Sequence, residues 1–378
     1  MPFLKSKTDL TVFRTRPTSL TDAHLNPFAE ALLKLRHSGI FHAGVKEVSG
    51  LMPLLDPDKG DFEDRNLWLT DDRHLVALAY RVDKKRVPPD LLRREVDKLC
   101  AAWRAEREVE RVPAVIRKEF KERVEYDLLA KALPVTSTTG IVWHPVKGEI
   151  WVDTLSESRL DAIRKLLHRL GLTAYLMSPL DALTSSSDLE TLISSTATSM
   201  TRVGTDTDVV FREDVTPTPP HLSHAFLVWI WKISTQSGTG FSTSSGLISV
   251  WVDGRMGFRK PAGDKVTALL TSENCHASPE AFASLRAGDV LHELRISLKR
   301  DDREYGVTFV GTMLQRKGVF TPADGAGSPL EALYDSMLTI EELESVLRDL
   351  YRTFSAELLD RGARYMQDEI VTWLDEVS

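Results

Sequence analysis

The sequence predicts an α+β fold with two β-rich lobes, a helical arm and a helical C-terminus. Three patterns carry this. Short apolar, β-rich runs separated by glycines and turn residues recur in residues 1–80 and 224–327. Two apolar stripes at spacings of three and four fill residues 90–132, and a third lies near the C-terminus. At 378 residues the chain also exceeds what one compact core usually holds, so subdomains are expected.

The elements follow in order. Residues 1–80 form a β-rich lobe with strands over Leu10–Phe13 and His74–Tyr80 and a helix over Pro27–His37, broken by Gly39, Gly44 and Gly50. Residues 81–133 form a basic helical arm. Leu92, Val96, Leu99 and Trp103 mark its first helix, Ile116, Phe120, Val124 and Leu128 its second, and the joint lies near Pro113. Residues 134–180 form a hairpin and helix unit. Gly140–Trp143 and Glu149–Val152 flank a turn, Ser156 caps a helix that Gly171 ends, and Leu172–Met177 returns as a strand. Residues 181–223 are a Ser/Thr/Pro-rich connection, helical around Leu189–Ile193 and extended at Thr216–Pro220. The second lobe, 224–327, has strands over Ala225–Ile233, Leu247–Val252, Glu293–Lys299 and Tyr305–Val310. The C-terminal helices, 328–378, begin at a capping box of Thr339 and Glu342. A stripe of Leu343, Val346, Leu350, Phe354 and Leu358 follows, then a helix over Arg364–Val377 with Met366, Ile370 and Trp373. Such stripes face either a core or a second copy of the chain.

Charge distribution bears on function more than the net charge of −7. Residues 81–131 carry 15 Lys/Arg and 11 Asp/Glu, a balance of +4; residues 1–36 and Arg255–Lys265 are each +3. Residues 328–378 hold 12 acids against 4 bases, and residues 56–72 and 181–215 are each −5. An acidic chain can thus present basic surfaces. The residues expected to form such a surface, suited to a polyanion, are Arg255, Arg259, Lys260 and Lys265, beside Gly254, Gly257 and Gly263 in a loop between strands, and Arg93, Arg94, Arg117, Lys118 and Lys121 on the arm. The first group is favoured, because acids interleave with the bases of the arm. Its exposed charges should be removable at little cost in stability.

Other classes find little support. Two cysteines, Cys100 and Cys275, make no disulfide framework or four-cysteine zinc site. His221 and His224 lack accompanying ligands, and Ser237-Gly238-Thr239-Gly240 lacks the Gly-Lys-Ser/Thr ending of a phosphate loop. No catalytic residue, metal or cofactor is expected. No apolar run approaches a membrane span, and the start is no signal peptide, so a cytoplasmic protein is expected. The order Pro89-Asp90…Glu119-Phe120-Lys121 is reminiscent of metal-dependent nucleases, but places Glu119 and Lys121 in a helical stripe with Asp90 as an N-cap.

The order of segments resembles the RdgC family. Phe3-Leu4-Lys5 with Leu10–Arg14 is similar to its first strand. The charged helical block, the Leu133-Pro134 break, the hairpin Ile141-Val142-Trp143…Gly148–Asp153 and the helix closing at Gly171 match in order. Leu291–Arg316 resembles its late hairpin and Ile340–Leu358 its final helix. The resemblance implies a ring-shaped homodimer that duplex DNA can thread. It implies sequence-independent binding of single- and double-stranded DNA, a nucleoid-associated location, restraint of a RecA-type recombinase and no catalysis. One departure stands out: where the family has basic and aromatic residues on a loop, this chain has the neutral stretch Val135–Thr139. Two alternatives remain open at this stage, an interaction protein of this fold without DNA binding and a metal-dependent nuclease.

Overall fold

The computed structural model describes residues 3, 7–39, 45–56, 62–70, 72–176, 220–235, 240–243, 246–260, 266–320 and 328–376. The fold is mixed α/β with extensive antiparallel pairing. The chain divides into a larger unit, residues 1–18 and 143–378, and a smaller one, residues 19–142. The expected helix at Leu189–Ile193, the extended stretch at 216–219, Ser237–Thr239, Gly44, Gly263 and Lys265 lie outside the described residues.

In the smaller unit, α1 (Asp22–Leu35) precedes β2 (Glu47–Pro53) and β3 (Val76–Lys85), which pair antiparallel from Glu47↔Lys84 to Pro53↔Leu78. Then come α2 (Pro89–Arg107), α3 (Ala114–Lys131) and β4 (Pro134–His144), which neighbours β3. Val135–Thr139 is therefore the first half of a strand and not a loop: its β-branched residues suit extended backbone, and Ser137 Oγ donates to Val82 O at 3.4 Å.

In the larger unit, β1 (Lys7–Arg14) lies between β5 (Glu149–Val152) and β12 (Gln315–Phe320). The sheet continues through β11 (Arg303–Val310), β10 (Val290–Arg300), β8 (Gly246–Arg259) and β7 (Gly240–Thr243). The two-residue β6 (Tyr175–Leu176) pairs with β1, and β9 (Val266–Leu270) with β8; the short helix α6 (Pro279–Arg286) precedes β10. Helix α4 (Glu157–Arg169) ends as expected: Gly171 has φ +81°, Leu172 N donates to Leu167 O, and Leu160, Ile163 and Leu167 are buried. Ser156 precedes the helix but makes no side-chain cap.

Two expectations are corrected here. Ala225–Ile233 is not a strand; it lies in α5 (Pro220–Thr235). Ala225 through Trp231 are all buried, so this helix has no polar face to mark its period, and an unbroken apolar run fits either element. Thr339 and Glu342 do not start a helix, because both lie inside α7 (Pro329–Arg361). The start is at Ser328, whose Oγ accepts from Glu331 N at 3.3 Å, with Pro329 in the first turn. Thr339 Oγ1 instead donates to Asp335 O, as a mid-helix threonine does.

The C-terminal stripes are buried within the chain itself. Leu343, Val346, Leu350, Phe354 and Leu358 line α7, and Met366, Ile370 and Trp373 line α8 (Ala363–Glu376). Phe226 of α5 meets Tyr351 at 4.8 Å and Phe354 at 5.4 Å between ring centroids, and Trp231 meets Trp373 edge-on at 5.2 Å. These stripes therefore need no second copy to cover them.

Candidate nucleic-acid interface

The arm is a two-helix hairpin with a small core of its own. Val96, Cys100 and Val124 are buried, and Leu92, Leu99, Val112, Phe120 and Leu128 pack against them. At 3.6 residues per turn, positions i, i+4, i+7 and i+11 share a face. On α2 one flank of the core carries Arg93, Asp97 and Arg104; on α3 the corresponding row carries Arg117, Lys118, Lys121 and Glu125. The two rows lie on the same side of the hairpin, because Arg117 reaches across to Asp97 at 3.1 Å. The opposite rows carry Glu95 and Glu106 on α2, and Glu119, Arg123 and Asp127 on α3. The hairpin thus sorts its charge: with Asp90, seven residues before Asp97, and Glu122, four after Lys118, this side holds five bases against four acids, and the opposite side one base against four acids.

Of the acids on the basic side, Asp97 is engaged by Arg117 and Glu125 by Lys46 at 2.6 Å. Arg93, Arg104 and Lys121 are exposed and make no ion pair among the described residues. Lys118 is 78% exposed and only 3.8 Å from Glu122 Oε1, a weak tie. Arg94 points away from this side and lies 3.4 Å from Glu95. Glu95 also accepts from Lys98 at 2.8 Å, and this hydrogen bond holds its carboxyl below the usual range. The charges that dilute one another in sequence are thus sorted in space. Arg104 was legible only as the i+11 partner of Arg93.

The second group is differently placed. Arg255 and Arg259 stand within β8 and not in a projecting loop; only Lys260 lies past its end. Gly254 has φ +71° at an irregularity of the β8–β10 ladder that aims Arg255 at Glu293, where Nε lies 2.6 Å from Oε1. Lys317 adds a second cation 3.4 Å from the same oxygen. A Cβ at Gly257 would sit 3.0 Å from Glu293 Cβ, so that glycine serves strand pairing and not approach to a phosphate. Lys260 Nζ lies 2.5 Å from Asp289 Oδ1, whose side chain is 8% exposed. Arg259 makes no ion pair among the described residues, but its Nε is buried. Burial, and then the Arg259 charge, push His292 below the usual imidazole range. Two of these three cations thus neutralise buried carboxylates. Removing Lys260 leaves one unpaired, which contradicts the expectation that these charges are dispensable to stability.

The nuclease-like residues do not converge. Asp90 is the second residue of α2, whose N-cap is Pro88 and not Asp90. Glu119 and Lys121, two apart on α3, project about 200° from each other around the helix. His224 is buried on α5 with Nδ1 3.0 Å from Leu291 O. No group of three or more His, Cys, Asp or Glu side chains placed to hold a metal occurs among the described residues. Among them, no helix is long and apolar enough to cross a membrane.

Fold and surface thus define a mixed α/β protein with a charge-segregated helical arm. Residues 63–191 match the family model described as "Putative exonuclease, RdgC", a span that takes in the arm, the β4–β5 hairpin and α4. This match supports assignment to the RdgC family. No curated protein matches the chain.

Proposed function

We propose that this protein binds DNA through its phosphate backbone, without reading base sequence, using the basic side of the arm. Arg93, Arg104, Arg117, Lys118 and Lys121 are the contacting residues, and the observation that carries the reading is their segregation onto one side of the hairpin. Lys and Arg meeting phosphates release condensed counterions, which gives sequence-independent affinity. The RdgC match points to a recombination-associated protein. On that basis the chain acts as a homodimeric ring around duplex DNA at the nucleoid, where it modulates a RecA-type recombinase or protects DNA. It works as a binding protein and carries out no reaction.

The family description names an exonuclease, so cleavage is the second reading. The separation of Asp90, Glu119 and Lys121 offers it no metal-binding carboxylate pair beside a lysine. Incubating the pure protein with end-labelled duplex, with and without magnesium, separates the possibilities. Retarded, intact DNA in both conditions is the expected result. Magnesium-dependent shortening establishes the nuclease, and neither effect leaves an interaction protein of this fold.

A further inference from the structure

A second basic surface lies on the larger unit. Helix α4 buries Leu160, Ile163 and Leu167 and turns Arg164, Lys165, His168 and Arg169 outward within its last two turns. Arg164 is tied to Asp161 at 3.0 Å; the other three make no ion pair among the described residues. With Thr173 and Ala174 these four side chains line an open depression of about 490 Å³. Thr173 and Tyr175 are exposed on either side of the buried Ala174, the alternation of extended backbone, and Tyr175, at the start of β6, is 60% exposed. The helix dipole favours cations at its C-terminus, which accounts for some of this charge. That effect calls for neither a depression nor a large aromatic ring left in water beside it.

We infer that this surface is a contact for a single nucleic-acid strand: Lys165, His168 and Arg169 take successive backbone phosphates, and the Tyr175 ring offers a platform on which one base stacks. Charge that tracks a backbone, combined with an exposed ring, is how single strands are held without sequence preference. A duplex keeps its bases stacked inside and gains nothing from Tyr175. The inference rests on the nucleic-acid reading above but is separable from it.

The test uses the full chain, a fluorescent oligothymidine, an abasic strand of equal length and a duplex. Tyr175→Ala should weaken oligothymidine binding about tenfold, leave the abasic strand and the duplex within twofold of wild type, and be rescued by Tyr175→Phe. Lys165→Glu with Arg169→Glu should weaken both single strands more than tenfold. If these variants bind oligothymidine as wild type does while the duplex is still bound, the single-strand contact is wrong and the arm reading stands. If wild type binds none of the three nucleic acids, both fail.

Discussion

Removing Arg93 and Lys121 together should flatten the salt dependence of duplex binding while leaving the fold intact. The two sit on opposite helices of the arm but on one side of it, and neither has an ion-pair partner among the described residues. Arg93→Ala with Lys121→Ala therefore strands no carboxylate. Exposed substitutions of this kind change stability by about 0.5 kcal/mol or less. Each phosphate contact adds about 0.9 to the slope of log affinity against log salt. Losing two should lower the slope by about 1.8, so the advantage of wild type over variant shrinks about 12-fold between 50 and 200 mM salt. Fluorescence anisotropy at four or five salt concentrations reads this directly. Arg123→Ala, on the acidic side of the same hairpin, is the control and should leave the slope unchanged. The reasoning is refuted if the double variant keeps the wild-type slope while Arg259→Ala with Lys260→Ala lowers it, which would move the contact to the β8 end.

Three further outcomes follow from the same structure. Lys260→Ala should cost about 1–3 kcal/mol in urea unfolding, because it strands the buried Asp289 carboxylate; Lys260→Arg should recover most of it. His144 is buried and, chiefly through burial, depressed to about 4, whereas the unfolded chain titrates near 6.5. The unfolded state thus binds the extra proton first, so stability is full above about pH 6.5 and falls as pH drops toward 4, by up to about 3 kcal/mol from this group; His144→Gln should flatten that part of the pH–stability curve. If the family's ring applies, light scattering at micromolar concentration should return twice the 42.4 kDa of one chain, and a value of one chain would count against the ring.

The parts of the fold that announce themselves in sequence are those in which polar and apolar residues alternate with a clear period. The arm stripes, α4 with its closing Gly171, the strands at 293–299 and 305–310 and the 343–358 stripe all have a polar side that sets the period. Helix α5 loses that marker because Ala225–Trp231 are all buried. The true N-cap was hidden by a better-looking one: Ser328 starts α7, with Glu331 three residues on, whereas Thr339 and Glu342 share that spacing by chance. For the candidate interface, composition identified the basic segments but not their geometry. In sequence the arm looks self-neutralised, and only the pairing of two antiparallel helices collects its bases on one side. Conversely, the run Arg255–Lys260 looks free because Glu293 and Asp289, which hold two of its cations, lie some 30 residues further along the chain.

The central claim, that DNA is held by its backbone alone, is tested most directly by affinity for several duplexes of equal length and unrelated sequence, each titrated across a salt series. The account predicts affinities within a few fold of one another at every salt concentration, with steep, parallel slopes of about −4 to −5 for about five phosphate contacts. A preference of a hundredfold or more for one sequence, or binding that ignores salt, would contradict it.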